Sequence, residues 1–451
     1  MAFNETDIRL KFAALADTHV TEEPDGRTNG ILHRAYDTLK NLAGGKLDCV
    51  TVSGDLTQGG LPGQLEMFKA IYSEHFDAAE TPLIYCSGNH DNYYHTVGNA
   101  PPPKFEERMR DVMGPAHFAH DLCPDAPELC RHAVVNGVHF ICMNAADYLL
   151  PALPYTPEVM AWFEQELEAA AKADPGMPIF VFSHMSISNT VCGSDFNTGV
   201  CFNLTWHHQQ LRPILRKYPQ SIYLSGHTHY SFHGDNAIMQ DGFTAINCAP
   251  ISYQVTDYGF WDCKGGITAI PDDAEDHPCG LLIEVDGSGA VRITRYDFGV
   301  DAVVRQPWLI PSPSDPDLLK PYSRDRRNIA IPDFPVKDLQ ANFEPVGEGV
   351  GHLKLTFSAA ESESQIYFYD VEVVKDRVPV AWRKYLTDYY RFADGADCAK
   401  TMEIDFGEVV MGGTMWVTVT PFDIWRNPGV SQQLALLIDP ADPFAKYFIK
   451  T

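Results

Sequence analysis

Short apolar runs alternate with amphipathic segments over the first two thirds of the chain. A run of roughly four to eight apolar residues is typical of a buried strand, whereas apolar residues that recur every three or four positions are typical of a helix that faces a core. The pattern predicts strands at 9–16, 47–52, 82–86, 179–182 and 221–224, and helices near 32–42, 65–72 and 157–170. Because strands and helices alternate, we expect an α/β domain in this part of the chain.

Each of these predicted strands ends in residues that can bind a metal ion. In chain order the strand ends read Asp17-Thr18-His19, Gly54-Asp55, Gly88-Asn89-His90-Asp91, Ser183-His184 and Gly226-His227-Thr228-His229. Ligands of open α/β sheets bind at the carboxyl ends of the strands. A polar loop with an incidental histidine would explain any one of these stretches, but their recurrence after every strand favours a metal site.

Side chains of these strand ends form a candidate ligand set: Asp17, His19, Asp55, Asn89, His184, His227 and His229. Carboxylate and imidazole ligands together suit manganese, iron or zinc better than calcium or magnesium. The set is too large for one ion, so we expect two ions about 3.5–4 Å apart that share a carboxylate. Such a pair binds the oxygens of a phosphate ester and supplies a bridging hydroxide as the nucleophile.

The last third of the chain has a different pattern. Prolines are dense in the stretch 306–335, which is typical of an extended linker, and alternating apolar residues beyond it predict several short strands. We therefore expect a catalytic domain at 1–305 and a β-sandwich of the fibronectin or immunoglobulin type at 336–451. Three tryptophans are expected to fill the sandwich core, with a sugar-binding platform as the alternative: Trp382, Trp416 and Trp425.

Length and charge limit the partners. The chain has 451 residues, enough for two domains, and a formal net charge of −26, which argues against binding to nucleic acid or to an anionic membrane. No apolar run reaches the roughly 18 residues of a membrane span, and the N-terminus shows no signal peptide. We expect a cytoplasmic protein that acts on a small molecule, although a trimmed form of an exported protein would begin in the same way. The oligomeric state, a homodimer included, stays open.

Cysteine usage argues against a disulfide framework. The chain has 11 cysteines, an odd number, and they form no Cys-x-x-Cys pair of the kind that zinc ribbons use. In an oxidising compartment Cys123 could bridge to Cys130, and Cys192 to Cys201. The sequence leaves both pairings open.

The strand-end motifs, taken in order, resemble those of the calcineurin-like metallophosphoesterases over roughly residues 8–300. The resemblance implies a four-layer α/β/β/α sandwich that holds two metal ions. It assigns one ion to Asp17, His19 and His229, the other to Asn89, His184 and His227, and the bridge to Asp55. By the same resemblance, His90 protonates the leaving group or stabilises the transition state, and Asp91 orients His90.

Differences from other branches of this family narrow the choice of branch, and with it the expected function. The stretch after Asp55 lacks the Asp-Arg-Gly of the protein Ser/Thr phosphatases, and Gln58 stands where purple acid phosphatases have tyrosine. The segments Gly54 to Ile71 and Val159 to His184 look most like the bacterial cyclic-nucleotide phosphodiesterase branch. Members of that branch hydrolyse varied small phosphoesters, and the likeness favours a phosphodiesterase. A phosphomonoesterase or nucleotidase could use the same site. A non-catalytic binding protein would be expected to lack a metal ligand or His90, and the sequence has them all.

Candidates for substrate contact lie close to the motifs: His95, Asn189, Asn197, His207 and His208. Surface or packing roles are the alternative for the paired histidines. The segment 185–206 directly follows the ligand His184 and is rich in small and polar residues. We therefore expect a mobile loop over the metals that selects the alcohol half of the substrate, with a decorative surface loop as the alternative.

Overall fold

The protein is described by a computed structural model over residues 3–93, 105–114, 121–124, 130–145, 155–195, 208–265, 269–439 and 442–449. The chain divides into two compact units. The first comprises Met1–Phe232, Asn236–Thr256 and Asp273–Asp325, and the second comprises His233–Asp235, Asp257–Asp272 and Arg326–Thr451. The second unit therefore takes two short stretches from within the sequence of the first.

The strands up to residue 310 are β1 (Ile8–Leu15), β2 (Cys49–Ser53), β3 (Leu83–Cys86), β4 (Asp121–Leu122), β5 (Cys130–Val135), β6 (Val138–Met143), β7 (Ile179–Phe182), β8 (Ser221–Ser225), β9 (Ile238–Gln240), β10 (Thr244–Asn247), β11 (Lys264–Gly265), β12 (Ala269–Ile270), β13 (Cys279–Asp286), β14 (Val291–Asp297), β15 (Ala302–Val303) and β16 (Trp308–Ile310). Of these, β11 and β12 belong to the second unit.

The helices are α1 (Arg27–Leu42), α2 (Pro62–His75), α3 (Phe105–Met113), α4 (Pro157–Ala173) and α5 (Leu211–Leu215), with short 3-10 turns at His90–Asn92, His208–Gln210, Asp235–Ala237, Arg324–Arg327 and Gly395–Asp397. The predicted helix start at residue 157 is confirmed: the Thr156 side chain caps α4 by accepting the N–H of Val159, and Pro157 follows at the first position. Within the described part of the chain, none of the helices combines the length and the apolar character that a membrane crossing requires.

The first unit contains two large sheets. One has the strand order β15-β14-β13-β1-β2-β3, with β16 paired to β14, and the other has the order β4-β5-β6-β7-β8-β10-β9. Strands β1, β2 and β3 run parallel to one another, as do β6, β7 and β8. Several strands of each sheet therefore end at the same edge.

Apolar side chains of the two sheets form one core between them. Phe12 of β1 packs edge-on against Phe140 of β6 and Phe180 of β7, with ring centroids 5.3 and 4.9 Å apart. Buried residues of α1 and α2 share a cluster with the other face of the first sheet, and those of α4 and α5 do so with the second. The predicted four-layer α/β/β/α sandwich is confirmed.

The second unit is built from strands that alternate buried and exposed residues. They are β17 (Gln340–Gly347), β18 (Val350–Ser358), β19 (Ile366–Lys375), β20 (Val378–Leu386), β21 (Thr401–Val410), β22 (Gly413–Asp423), β23 (Gln432–Asp439) and β24 (Asp442–Ile449). They form a three-stranded sheet, β17-β18-β21, and a five-stranded sheet, β20-β19-β22-β23-β24. Both sheets contribute to one apolar cluster, as expected for the predicted β-sandwich.

The proline-rich stretch 306–335 is not uniform. Trp308–Ile310 forms β16, which pairs with β14 of the first unit, and the two units part after Asp325. Of the predicted linker, only residues 326–335 therefore belong to the second unit.

The tryptophans predicted for the sandwich core lie elsewhere. Trp382 is 56 % exposed, and Trp416 and Trp425 are half-buried. Strand alternation explains the error: Val417 and its neighbours two positions away face the core, so Trp416 points to the opposite face of the sheet.

The Cys123–Cys130 pairing that the sequence left open is not formed. The thiol of Cys130 lies 3.8 Å from the carbonyl oxygen of Asn144, to which it donates. Cys201, the expected partner of Cys192, lies outside the described residues.

Phe260 provides a test of the boundary between the units. It lies in the stretch Asp257–Asp272, is 6 % exposed, and its ring centroid lies 5.6 Å from those of Tyr367 and Phe368. Because its ring fills a buried cluster of the second unit, we expect Phe260→Ala to lower the stability of that unit by about 3–5 kcal/mol. Hydrogen exchange of the β19 amides measures this loss.

Tyr258→Ala is the matched control, since the Tyr258 side chain is 65 % exposed and lies two residues earlier. It should leave the protection of β19 unchanged. If the β19 amides of the Phe260→Ala variant exchange as slowly as those of the unaltered protein, the second unit does not depend on the stretch Asp257–Asp272.

Candidate metal centre

The predicted ligands lie at strand ends of both sheets. Asp17 and His19 follow β1, Asp55 follows β2, Asn89 follows β3, His184 follows β7, and His227 and His229 follow β8. Backbone hydrogen bonds join the ends within each sheet: the His19 N–H donates to the Asp55 carbonyl and the Gly226 N–H to the His184 carbonyl, both at 3.0 Å. Between the sheets, the His227 N–H lies 3.1 Å from both carboxylate oxygens of Asp17.

The side chains of these residues meet around two buried carboxylates. The Asp55 Oδ2 lies 3.2 Å from the His184 Nε2 and 3.6 Å from the His19 Nε2, and the Asp17 Oδ1 lies 3.2 Å from the His229 Nε2. Asp17, His19, Asp55 and His229 each place a ligand atom within 4.8 Å of the others. Asp55 thus stands where a bridging ligand would.

A second group of ligands adjoins Asp55. The Asn89 Oδ1 lies 3.1 Å from the His184 Nε2, and the rings of His184 and His227 have centroids 5.0 Å apart. The ligand atoms of this group are the amide oxygen and the imidazole nitrogens. With Asp55 as a shared member, the two groups can hold two ions.

Oxygen atoms fix the orientation of three ligand histidines. The Nδ1 atom of His19 lies 2.9 Å from Oε1 of Gln58, that of His184 lies 2.9 Å from the Ser53 carbonyl, and that of His229 lies 2.7 Å from the Tyr253 carbonyl. Since these oxygens only accept, Nδ1 carries a hydrogen in all three rings, and Nε2 is the nitrogen left to face a metal ion. The Nε2 of His19 is buried and has no hydrogen-bond partner among the described residues, as expected of an atom that ligates a metal.

The charges of the site also fit a cation. Burial lowers the pKa of His19 to about 4 and that of His227 to about 3, so both rings are neutral ligands near pH 7. Burial opposes a charge on His184 as well, but the adjacent Asp55 carboxylate raises the pKa of that histidine to about 9. A proton on His184 therefore balances Asp55 until a metal ion displaces it.

Most of the ligands have an unusual backbone. Five of the seven have a positive φ: Asp17 (51°), His19 (45°), Asp55 (50°), His227 (65°) and His229 (54°). Residues other than glycine avoid this left-handed region, and each residue that is held in it lowers the stability by roughly 1–3 kcal/mol. Strain of this kind persists where the surrounding structure enforces it, and it concentrates at functional sites.

Two glycines of the motifs leave room for ligands from neighbouring strand ends. A Cβ atom on Gly88 would come within 2.1 Å of the Asp55 Oδ1, and one on Gly226 would come within 2.5 Å of the Asp17 Oδ2. A carboxylate therefore occupies the space in which another residue at either position would have its side chain. This close approach explains why glycine stands in these two motifs.

His90 lies beside the ligands, and its ring is not held as the sequence predicted. Its backbone N–H donates to the Asp55 Oδ1 at 2.8 Å, and its Nδ1 donates to the Gln58 carbonyl at 3.0 Å. The ring centroid is 4.4 Å from that of His19. The Gln58 carbonyl, and not Asp91, therefore orients the His90 ring.

Asp91 joins two turns of the site. Its Oδ1 accepts the N–H and the hydroxyl of Thr57, both at 2.8 Å, and its Oδ2 accepts the N–H of Leu56 at 3.1 Å and that of Gly88 at 2.9 Å. These bonds tie the turn after β2 to the turn after β3. The expected orienting role is thus replaced by a structural one, which acts on both turns that carry ligands.

Sequence reasoning missed two residues that shape the site. Gln58 supplies an oxygen to His19 and another to His90, and the Tyr253 ring lies 4.4 Å from that of His229, centroid to centroid. Gln58 was noted only as a difference from purple acid phosphatases. Tyr253 carried no signal, because it lies far from any motif in the sequence.

The residues predicted to contact substrate lie in different surroundings, and three of them fall outside the described part of the chain. His95, Asn197 and His207 lie outside the described residues. His208 is buried, and its Nε2 lies 2.9 Å from the Ser183 hydroxyl, which is the packing alternative. The backbone carbonyl of Asn189 accepts a hydrogen bond from Arg324 at 2.5 Å.

The segment after His184 is not the loosely packed loop that its composition predicted. Within 185–195, Met185, Ile187 and Val191 are at most 2 % exposed, and the carbonyl of Ser188 accepts a hydrogen bond from Arg212. Small polar residues here bond to the segment itself, as the Thr190 hydroxyl does to the Ile187 carbonyl. The remainder, 196–206, lies outside the described residues.

Two sheets between helix layers, with nitrogen and oxygen atoms gathered at their strand ends, are the arrangement expected of a metal-dependent hydrolase of phosphoesters. Residues 10–231 match the family model of the calcineurin-like phosphoesterases. This match confirms the resemblance of the strand-end motifs to the calcineurin-like phosphoesterases.

Two solved structures are similar to this chain at low sequence identity. The chain is similar to GAP50, the anchor in the inner membrane complex of Plasmodium, at 16% identity and a TM-score of 0.40, covering 67% of this chain and 88% of that one. It is also similar to the purple acid phosphatase PPD1 from yellow lupin (Lupinus luteus) seeds, at 13% identity and a TM-score of 0.45, covering 67% and 53%. Both TM-scores are too low for anything about this chain to follow from either protein. No curated protein matches the sequence.

Gly226 offers a test of the close approach at Asp17. A Cβ at this position would also lie 2.8 Å from the Cβ of Ala16 and from the Ser53 carbonyl, so it has no free direction. We expect Gly226→Ala to displace the Asp17 carboxylate and to weaken metal binding by about 10-fold or more, the effect of disturbing the surroundings of a ligand. Titration of the metal-free protein with zinc or manganese measures this.

Gly30→Ala is the control, because an added Cβ in this exposed position of α1 meets nothing within 4 Å. It should bind metal normally and gain up to about 1 kcal/mol of stability from the better helix propensity of alanine. Normal metal binding by Gly226→Ala would contradict the inference that a side chain at position 226 displaces the Asp17 carboxylate.

Proposed function

We propose that the first unit is a two-metal hydrolase of small phosphodiesters. The observation that carries the proposal is the position of the Asp55 carboxylate, which lies against ligands of both groups. One ion would be held by Asp17, His19 and His229, the other by Asn89, His184 and His227, and both by Asp55. Manganese, iron or zinc suits these ligands, and two such ions supply Lewis acidity toward the phosphate and an activated water molecule.

We infer that His90 assists the departure of the alcohol. Because its Nδ1 donates to the Gln58 carbonyl, a doubly protonated His90 ring would carry its second proton on Nε2, which would give it to the leaving oxygen. The hydrogen bond from its backbone N–H to Asp55 fixes the residue next to the bridging ligand. We infer that His90 acts as the acid, or as a positive charge, on the side of the leaving group.

Electrostatics favour a diester over a monoester. The chain has a formal net charge of −26, and a diester carries one negative charge where a phosphate monoester carries about 1.5–2 at pH 7. The more highly charged ester is repelled more strongly by the field of the protein. The likeness of the turn after Asp55 to the cyclic-nucleotide phosphodiesterase branch points the same way. Monoesterase or nucleotidase activity is the alternative.

The preference is tested with bis-p-nitrophenyl phosphate and p-nitrophenyl phosphate, using metal-free protein reloaded with manganese, iron or zinc. We expect a higher kcat/KM for the diester with each metal that supports turnover. Asp55→Ala should lose activity on both esters together with bound metal, because both ions depend on this carboxylate. A higher kcat/KM for the monoester would reverse the preference, and no turnover by fully loaded protein would favour a binding protein.

His90→Ala separates acid catalysis from metal binding. We expect the variant to bind metal normally and to lose about 10²–10⁴-fold in kcat, the usual contribution of a general acid. The loss should shrink for esters whose leaving groups need little protonation, and a series of aryl esters measures this slope. His352→Ala, in β18 of the second unit, is the control. An equal loss for good and poor leaving groups would assign His90 to charge stabilisation, and loss of metal would make it a ligand.

A further inference from the structure

The side chain of Asn89 has two different ends, and only one of them can bind a metal ion. Its Oδ1 has lone pairs to offer, whereas its Nδ2 carries two hydrogens and repels a cation. The two ends are nearly the same size, so packing alone does not choose between them. A hydrogen-bond acceptor next to Nδ2 would turn Oδ1 toward the ion.

Tyr93 provides that acceptor. The Asn89 Nδ2 donates to the Tyr93 hydroxyl oxygen at 2.9 Å, while the Asn89 Oδ1 lies on the ligand side, 3.1 Å from the His184 Nε2. Tyr93 is half-buried, and burial raises the pKa of its hydroxyl, so this oxygen is neutral near pH 7. With the Nδ2 end bound in this way, Oδ1 is held toward the other ligands.

The local backbone brings the two side chains together. Asn89 (φ −68°, ψ −37°) and Tyr93 (φ −61°, ψ −36°) flank the 3-10 turn His90–Asn92, and residues four positions apart on a helical turn share a face. The same turn places the Tyr93 ring against that of His90, with centroids 4.4 Å apart. Tyr93 thus contacts a metal ligand and the proposed acid at once.

We propose that Tyr93 is a positioning residue for the second metal ion: its hydroxyl holds the Asn89 amide with Oδ1 toward the ion. The inference rests on the proposed function, since it requires an ion at Asn89, His184 and His227. It adds to the ligand set a residue that lies outside the motifs.

Tyr93→Phe tests the role of the hydroxyl, because it keeps the ring against His90 and removes only the acceptor. We expect the second ion to bind about 10-fold more weakly, the lower end of what loss of a ligand's partner costs, and the first ion to bind as before. Calorimetric titration of the metal-free protein with zinc or manganese resolves the two affinities. Tyr258→Phe, at a position that is 65 % exposed, is the control and should leave both affinities unchanged.

A double-mutant cycle with Asn89→Asp distinguishes positioning from a general structural role. Aspartate has an oxygen at both ends, so its orientation no longer matters to the ion. Tyr93→Phe should therefore have little effect on the second affinity in the Asn89→Asp background. The same loss in both backgrounds would show that the hydroxyl stabilises the turn and does not orient the amide.

The outcomes for Tyr93 and for the proposed function differ. Failure of the unaltered protein to bind a second ion would overturn the proposed function itself. Two ions in the unaltered protein, with the second bound equally tightly by Tyr93→Phe, would overturn only the role of Tyr93. Because binding is measured without substrate, neither result depends on which ester the enzyme prefers.

Discussion

A single buried carboxylate, that of Asp55, imposes the main constraint on the first unit. Its Oδ1 accepts the His90 N–H at 2.8 Å, and its Oδ2 lies 3.2 Å from the His184 Nε2. A buried charge costs several kcal/mol unless opposite charge and hydrogen-bond donors surround it. The His90 N–H and the protonated His184 ring supply these donors, and a bound metal ion would replace the proton on His184. The residue that organises the strand ends is therefore also the one that would bridge the ions.

The strained turns around Asp55 depend on the strands behind them. A left-handed backbone at Asp17 or Asp55 is unfavourable by itself, but β1 and β2 pair in parallel register up to Leu15 and Val52. Both of those residues are fully buried in the core that packs against α1 and α2. The chain direction is thus fixed immediately before each turn, and the turn follows the conformation that points its side chain toward the other ligands.

The places of the candidate ligands could be predicted from the sequence because the information is local. Each ligand follows a strand directly, and parallel strands bring their carboxyl ends to one edge. The partners of the ligands could not be predicted in the same way. The Gln58 carbonyl meets the His90 ring because of the path that the turn after Asp55 takes. That path depends on the positive φ of Asp55, which residue types do not reveal.

Two further differences from the sequence-based expectations have physical causes. Composition suggested that the segment after His184 would be exposed, yet small polar side chains also fit a tightly packed turn that bonds to its own carbonyls, as Thr190 does. The stretch Asp257–Asp272 contributes Phe260 to the apolar cluster of the second unit. No local pattern predicts this, because the contact joins residues about a hundred positions apart in the sequence.

The two sheets contribute unlike ligands, and this links metal binding to the packing of the first unit. The first sheet supplies every oxygen ligand, from Asp17, Asp55 and Asn89, whereas the second supplies only histidine nitrogens. Neither set can hold two ions without the other, so two ions would bind tightly only in the folded protein, where the core between the sheets is closed. A ligand that binds only the closed form stabilises it by mass action. Packing of Phe12 between the sheets and occupation of the metal site should therefore support each other.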